Sequence, residues 1–326
     1  MRRFKFLLAI STFALLVSWL ALVPSDLQAQ IGAGQTTAER GRYGETITQK
    51  WQVGALIRTG SQDASSIEIA IPVPTDWDEQ SVSLVEDDIS SSIRNVKYQM
   101  LDDGVRRMTA TIPRIRANSG VKVLITFEVQ TKAILKPERT DNLVIPYKPD
   151  RDIKRHLNSS RLINHRKTEF KKLTKELVEG KETDWEKVEA IFNWVKDNIT
   201  PIDTEEVRGA QITFKRQEGN GEDMVNLFVA LCRSYKVPAR IVWVDGLQYA
   251  EFYLEDENGE GTWFPCQPDG FPEFGQMTSP RVIQQKGDNI KVPGYKDRLR
   301  YVPEVITGSS SGPGPDVIWV RRIITD

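Results

Sequence analysis

Gly219-Asn220-Gly221-Glu222-Asp223-Met224-Val225-Asn226-Leu227-Phe228-Val229-Ala230-Leu231 opens the stretch on which the reading of this 326-residue chain turns. Two glycines flank an asparagine, and two acids follow at once. That is the chemistry of a helix N-terminus, where unpaired amides favour negative charge. Met224, Leu227, Phe228, Leu231 and Tyr235 then recur at i, i+3, i+4, i+7 and i+11, one helical face. Val225, Val229 and Cys232 widen the stripe, so the helix is expected to be buried. Pro238 closes it. Strands are predicted at 239–244, 248–254 and 262–267. They are carried by Pro238-Ala239-Arg240-Ile241-Val242, Tyr249-Ala250-Glu251-Phe252-Tyr253-Leu254 and Trp263-Phe264-Pro265-Cys266-Gln267-Pro268, with a turn at Asn258-Gly259.

In this order and spacing the stretch resembles the core of the bacterial transglutaminase-like superfamily, which is papain-like in chemistry. The resemblance covers roughly residues 168–270. It implies a cysteine nucleophile at the N-terminus of the buried helix, a histidine base on the second strand and an orienting aspartate on the third. Carried over residue by residue, those positions read Gly221, Leu247 and Gln267. All three are replaced, and Gln248, one place along, is no base either. The chain has two histidines, His156 and His165, both upstream of the core. Cys232 lies roughly 16 Å along the helix from Gly221. Cys266 adjoins the acid's position, but alternation on a strand turns neighbouring side chains to opposite faces.

The resemblance therefore implies a pseudoenzyme with no catalytic residue. Asn220, Glu222, Gln248, Tyr249 and Trp263 would line what remains of the cleft, and a protein, peptide or glycan would be the ligand. Glu222, Asp223 and Glu251 read as structural acids. A paired-carboxylate hydrolase built from them would need one raised pKa. Two other readings stand beside this one. The first is an active transglutaminase or cysteine peptidase that imports His156 or His165. The second is a purely structural envelope protein.

Outward from the core, the composition is that of an ordinary globular protein, 39% hydrophobic and 27% charged. A net charge of −1 gives no reason to expect nucleic acid or an anionic membrane as partner. Two cysteines exclude a disulfide scaffold and the common zinc clusters, and no metal or cofactor is expected. Arg2, Arg3 and Lys5 precede an uncharged apolar run from Phe6 to Val23, and Ala29 offers a cleavage position. Residues 1–29 are expected to be a signal peptide and the protein to be exported to the periplasm, envelope or medium. If the segment stays uncleaved, it would be the sole membrane anchor.

Residues 30–43 read as a flexible lead-in. From 44 to 147 the pattern alternates, as in Ile67-Glu68-Ile69-Ala70-Ile71 and Val121-Lys122-Val123-Leu124-Ile125, with turns at Asp102-Asp103-Gly104 and Asn118-Ser119-Gly120. That predicts an antiparallel β-sandwich, with Trp51 and Trp77 as core or rim aromatics. Residues 148–167, basic and polar, are expected to be a solvated linker. The helical domain follows from 168 to 275, beginning with a short amphipathic helix over 168–178. A capping box at Thr183-Asp184-Trp185-Glu186 starts the next helix. Residues 276–326 read as an extension in which Ser309–Pro315 is a linker before a last strand at Val317-Ile318-Trp319-Val320. The fold class is α+β: a β-sandwich, then a buried helix packed on an antiparallel sheet.

Overall fold

The computed structural model describes residues 42–325. The expected signal segment and nearly all of the lead-in lie outside the described residues. Among these residues, no helix is long and apolar enough to cross a membrane.

Six strands come first: β1 (Tyr43–Arg58), β2 (Ala64–Val73), β3 (Gln80–Ile89), β4 (Arg94–Met100), β5 (Arg106–Ile115) and β6 (Gly120–Ile134). A short helix, α1 (Arg151–Lys154), leads to α2 (Thr168–Val178) and α3 (Asp184–Asn198). Next come β7 (Thr200–Pro201), α4 (Ala210–Arg216), β8 (Glu218–Gly219) and α5 (Gly221–Ser234). The chain ends with β9 (Ala239–Val244), β10 (Leu247–Glu255), β11 (Gly261–Gln267), β12 (Glu273–Phe274), β13 (Ile283–Lys286), β14 (Val305–Ser310) and β15 (Asp316–Ile324).

Two four-stranded sheets, ordered β15-β1-β6-β3 and β14-β2-β5-β4, form the sandwich. Alternation along each strand sends one set of side chains inward. Trp51, Val53, Ala55 and Ile57 of β1 meet Ile67, Ile69 and Ile71 of β2 in the shared core. The sandwich is not finished by its first six strands. The Ser309–Pro315 run, expected to be a linker, is the end of β14 and a short connection into β15. The flanking strands enter different sheets, β14 on β2 and β15 on β1. The helical domain is thus inserted between β6 and β14.

That domain is a five-stranded sheet, β12-β11-β10-β9-β13, packed against α5. Ala250, Phe252 and Leu254 of β10 face the helix, together with Ile241, Phe264 and Cys266. Leu247 and Tyr249, of the other parity, join Val242, Val244 and Ile283 on the opposite face, against Ile134 from the end of β6. Every residue of α5 from Asp223 to Arg233 is buried. Trp185 of α3 sits edge-on to Phe252, Phe264 and Phe274, with ring centroids 5.1–5.6 Å apart.

The 148–167 segment also departs from expectation. It is folded down rather than solvated: Ile163 is fully buried, and His156 and His165 are buried. The anchor is Arg233 of α5. Its guanidinium donates to the carbonyl of Asn158 at 2.7 Å, to that of Ala239 and to the Asp288 carboxylate. A single buried cation with three acceptors gives a basic, polar stretch somewhere to dock, and no apolar period announces it.

Candidate functional site

The N-terminus of α5 is held from three sides. β7 pairs in parallel with β8, which fixes the chain just before the helix. Asn220 caps the helix: its Oδ1 accepts from Asp223 N–H at 2.9 Å, and its Nδ2 donates to Thr204 O at 2.9 Å. Asp223 is fully buried and accepts from the amides of Arg208 and Gly209 at 2.8 and 2.7 Å. Glu222 is ion-paired with Arg300. Glu251, buried on β10, accepts from Arg240 at 2.6 Å and Lys286 at 2.8 Å. Burial alone would push its carboxyl up, but the two cations overcome this and hold it at about 2. These three acids each have dedicated partners, which is the arrangement of structural carboxylates.

Gly221 begins the helix proper. A Cβ placed there would stand 2.6 Å from Asp269 Oδ2. Asp269 comes from the turn after β11, and Gln267 of that strand donates from Nε2 to the Asp269 carbonyl at 2.8 Å. Gly221 and Gln267 are therefore brought together, with Asp269 between them. Leu247 is held in the apolar cluster of Ile134, Val242, Val244, Tyr249, Met277 and Ile283. Its parity partner Tyr249 is 3% exposed. Gln248 alternates to the other face of β10. Trp263 lies beneath the Arg240 guanidinium, 4.0 Å from ring centroid to Cζ, and edge-on to His156 at 5.0 Å.

The profile of the transglutaminase-like superfamily matches residues 171–268, the span from within α2 to the end of β11. This chain carries a transglutaminase-like core. No curated protein matches it. Among solved structures, a candidate cysteine protease of Cytophaga hutchinsonii is similar over 87% of this chain and 93% of that one. Identity is 18% and the TM-score 0.56, a likeness of fold that takes in the sandwich as well as the core. A candidate protease of Parabacteroides distasonis aligns over 71% of this chain and 48% of its own, at 14% identity and a TM-score of 0.27.

Within the transglutaminase-like core, the residue that sequence reasoning missed is Asp269. The motif carried over from the resemblance puts its acid before Pro268, where Gln267 stands. The carboxylate instead comes one residue after that proline, and the turn carries it to the helix N-terminus. An aspartate directly following Gln267-Pro268 was the available signal. Both thiols lie in the core cluster on the helix side of the sheet, free and fully buried. Burial raises each thiol well above its ordinary pKa, so neither is disposed to form thiolate. His165 Nδ1 is 3.0 Å from the Ser159 hydroxyl. His156 sits within 3.4 Å of Asp103, at the junction with the sandwich.

Proposed function

We propose that this protein is an exported transglutaminase-like module without thiol chemistry, its core used for binding or assembly in the cell envelope. One observation carries the reading. The position from which a nucleophilic side chain would project is a glycine, and a Cβ built on it would stand 2.6 Å from the Asp269 carboxylate. A helix N-terminus activates a cysteine by favouring its anion. Here that favourable field falls on a carboxylate, which has no nucleophilic sulfur. Export rests on the charged start, the uncharged run from Phe6 to Val23 and Ala29. Intact-mass analysis of native protein tests it: a chain starting at Gln30 supports export, and a retained Met1 overturns cleavage.

Purified protein should release no product above background in an amine-incorporation assay or on a peptidase substrate panel. The Cys232→Ala, Cys266→Ala double variant should behave identically. Turnover by the natural chain that disappears in the double variant would overturn the proposal.

A further inference from the structure

β15 is the outermost strand of its sheet, and it is built differently from the other three edges of the sandwich. β3 is interrupted by a bulge between Leu84 and Glu86, carries Glu86-Asp87-Asp88, and has its Val82 amide taken by the Asp76 carboxylate at 2.8 Å. β4 shifts register between Arg94 and Lys97, and β14 between Thr307 and Ser309. Bulges and charges of this kind keep an edge from pairing with another chain. The middle of β15 has neither. It runs along β1 without a shift, from Lys50 opposite Ile324 to Arg58 opposite Asp316. Val317-Ile318-Trp319-Val320 is wholly apolar, and Ile318 is 59% exposed. Among the described residues, β15 makes no backbone hydrogen bond beyond the β1 ladder. Glu304 touches the strand through the Arg321 side chain.

The register on β1 sets which way each side chain points. Trp319 lies opposite Ala55 and Val317 opposite Ile57, both core residues, so Val317, Trp319 and Arg321 face inward. Asp316, Ile318, Val320 and Arg322 face outward. This outward row complements itself when the strand is reversed. An antiparallel pair centred on Trp319 sets Asp316 against Arg322 and Ile318 against Val320, twice over. Arg322 lies along Gln52, donating to its Oε1 from Nη2 at 2.9 Å and Nε at 3.2 Å, and Nη1 remains for a carboxylate. On the inward side Trp319 meets its own copy, and Arg321, still paired with Glu304, lies opposite Val317. Centred on Val320 instead, the pair would set Ile318 against Arg322 and Asp316 against Ile324. Pairing about Trp319 thus matches opposite charges and matches apolar groups, the combinations that stabilise neighbouring strands. Because the centre is a residue, inward faces stay with inward faces, and two sandwiches continue as one.

We propose that β15 is the interface of a two-fold dimer, in which two copies of this chain pair their β15 strands antiparallel about Trp319. The strand takes a second copy because it completes its own outward pattern of charged and apolar groups. The inference rests on the sandwich and not on the chemistry of the core. Its failure would leave the absence of thiol chemistry untouched, and the reverse also holds.

Sedimentation velocity of the native protein from about 1 to 100 μM tests the proposal, the range in which an interface at the small end of the usual sizes dissociates. The natural chain should be dimeric at the upper end. Ile318→Lys, at an exposed position, should weaken the dimer at least tenfold and leave the melting temperature of the monomer unchanged. Asp316→Arg, which sets like charges opposite one another, should weaken it likewise and decides the matter if Ile318→Lys does not fold. Arg322→Glu should also weaken association, and combining it with Asp316→Arg should restore it, because the two charges exchange places. A monomer at every concentration would overturn the proposal, whether the edge is bare or covered by residues 1–41 of the same chain. A dimer that both Ile318→Lys and Asp316→Arg leave intact lies on another surface and overturns it too. Failure of the exchanged pair to restore association would overturn the pairing about Trp319.

Discussion

At Gly221 the sequence shows a glycine where the resemblance puts a nucleophile, but not what stands against it. The acids at 222 and 223 could be read as helix-terminal groups because their position relative to the glycine is local. Asp269 could not, since its reach to Gly221 depends on the turn after β11 and on a contact 48 positions away in the chain. This makes a specific prediction. In Gly221→Cys, the new Cβ would meet Asp269 Oδ2 at 2.6 Å, so the Asp269 side chain must shift, and its charge opposes thiolate formation. The new thiol should therefore have a higher pKa in Gly221→Cys than in Gly221→Cys with Asp269→Asn, both made with Cys232 and Cys266 changed to Ala. Alkylation rate against pH reads this directly. Equal pKa values would mean that Asp269 does not face the helix N-terminus in solution.

Elements with a clean period were legible almost to the residue. The 168–178 helix coincides with α2, and the predicted strands at 239–244, 248–254 and 262–267 match β9, β10 and β11 to within one residue. The reason is that burial on one face imposes period 3.6 or 2, and composition then displays it. Where docking rests on polar groups, as in residues 148–167 on Arg233, there is no period to read. The capping box is the sharpest local case. Thr183 Oγ1 accepts from Glu186 N–H at 3.2 Å, and Glu186 Oε2 accepts from the amides of Thr183 and Glu182 at 3.1 and 2.9 Å. It starts α3, which buries Trp185, Val188, Ile191, Phe192 and Val195. Thr183→Ala should cost about 1 kcal/mol, and Thr183→Ser far less. Urea denaturation would measure both; equal losses would show that the hydroxyl cap is not what matters.

At the scale of the whole molecule, sandwich and core are joined by ions as well as by apolar packing. Lys286 of β13 donates to Glu79, just ahead of β3, at 2.5 Å and to Glu251 of β10 at 2.8 Å, all three buried. Lys286→Met strands Glu79 and leaves Glu251 with Arg240 alone, so it should cost about 3–5 kcal/mol. Adding Glu79→Gln should recover part of that loss, because one uncompensated charge is gone. Thermal denaturation of the two variants checks this, and a double variant no better than the single would remove Glu79 from the account. Glu251 also sets a pH dependence. Its folded pKa, about 2, lies below the ordinary 4.5, so its contribution is present above pH 4.5 and fades as pH falls towards 2. None of this joint was legible beforehand, because pairing across 207 positions leaves no local trace.

The return of β14 and β15 to the first two strands has a consequence for biosynthesis. Chains emerge from the ribosome N-terminus first, and domains usually fold in that order. Here β1 and β2 leave the tunnel early but wait for residues 305–324 before either acquires its second neighbour. The inserted core, contiguous from α2 to β13, has its last strand by Lys286, before β14 begins at Val305. The part of the molecule made first is thus completed last, with bare β-edges exposed in the interval, and a chain arrested before residue 305 should need protection from aggregation that a released chain does not.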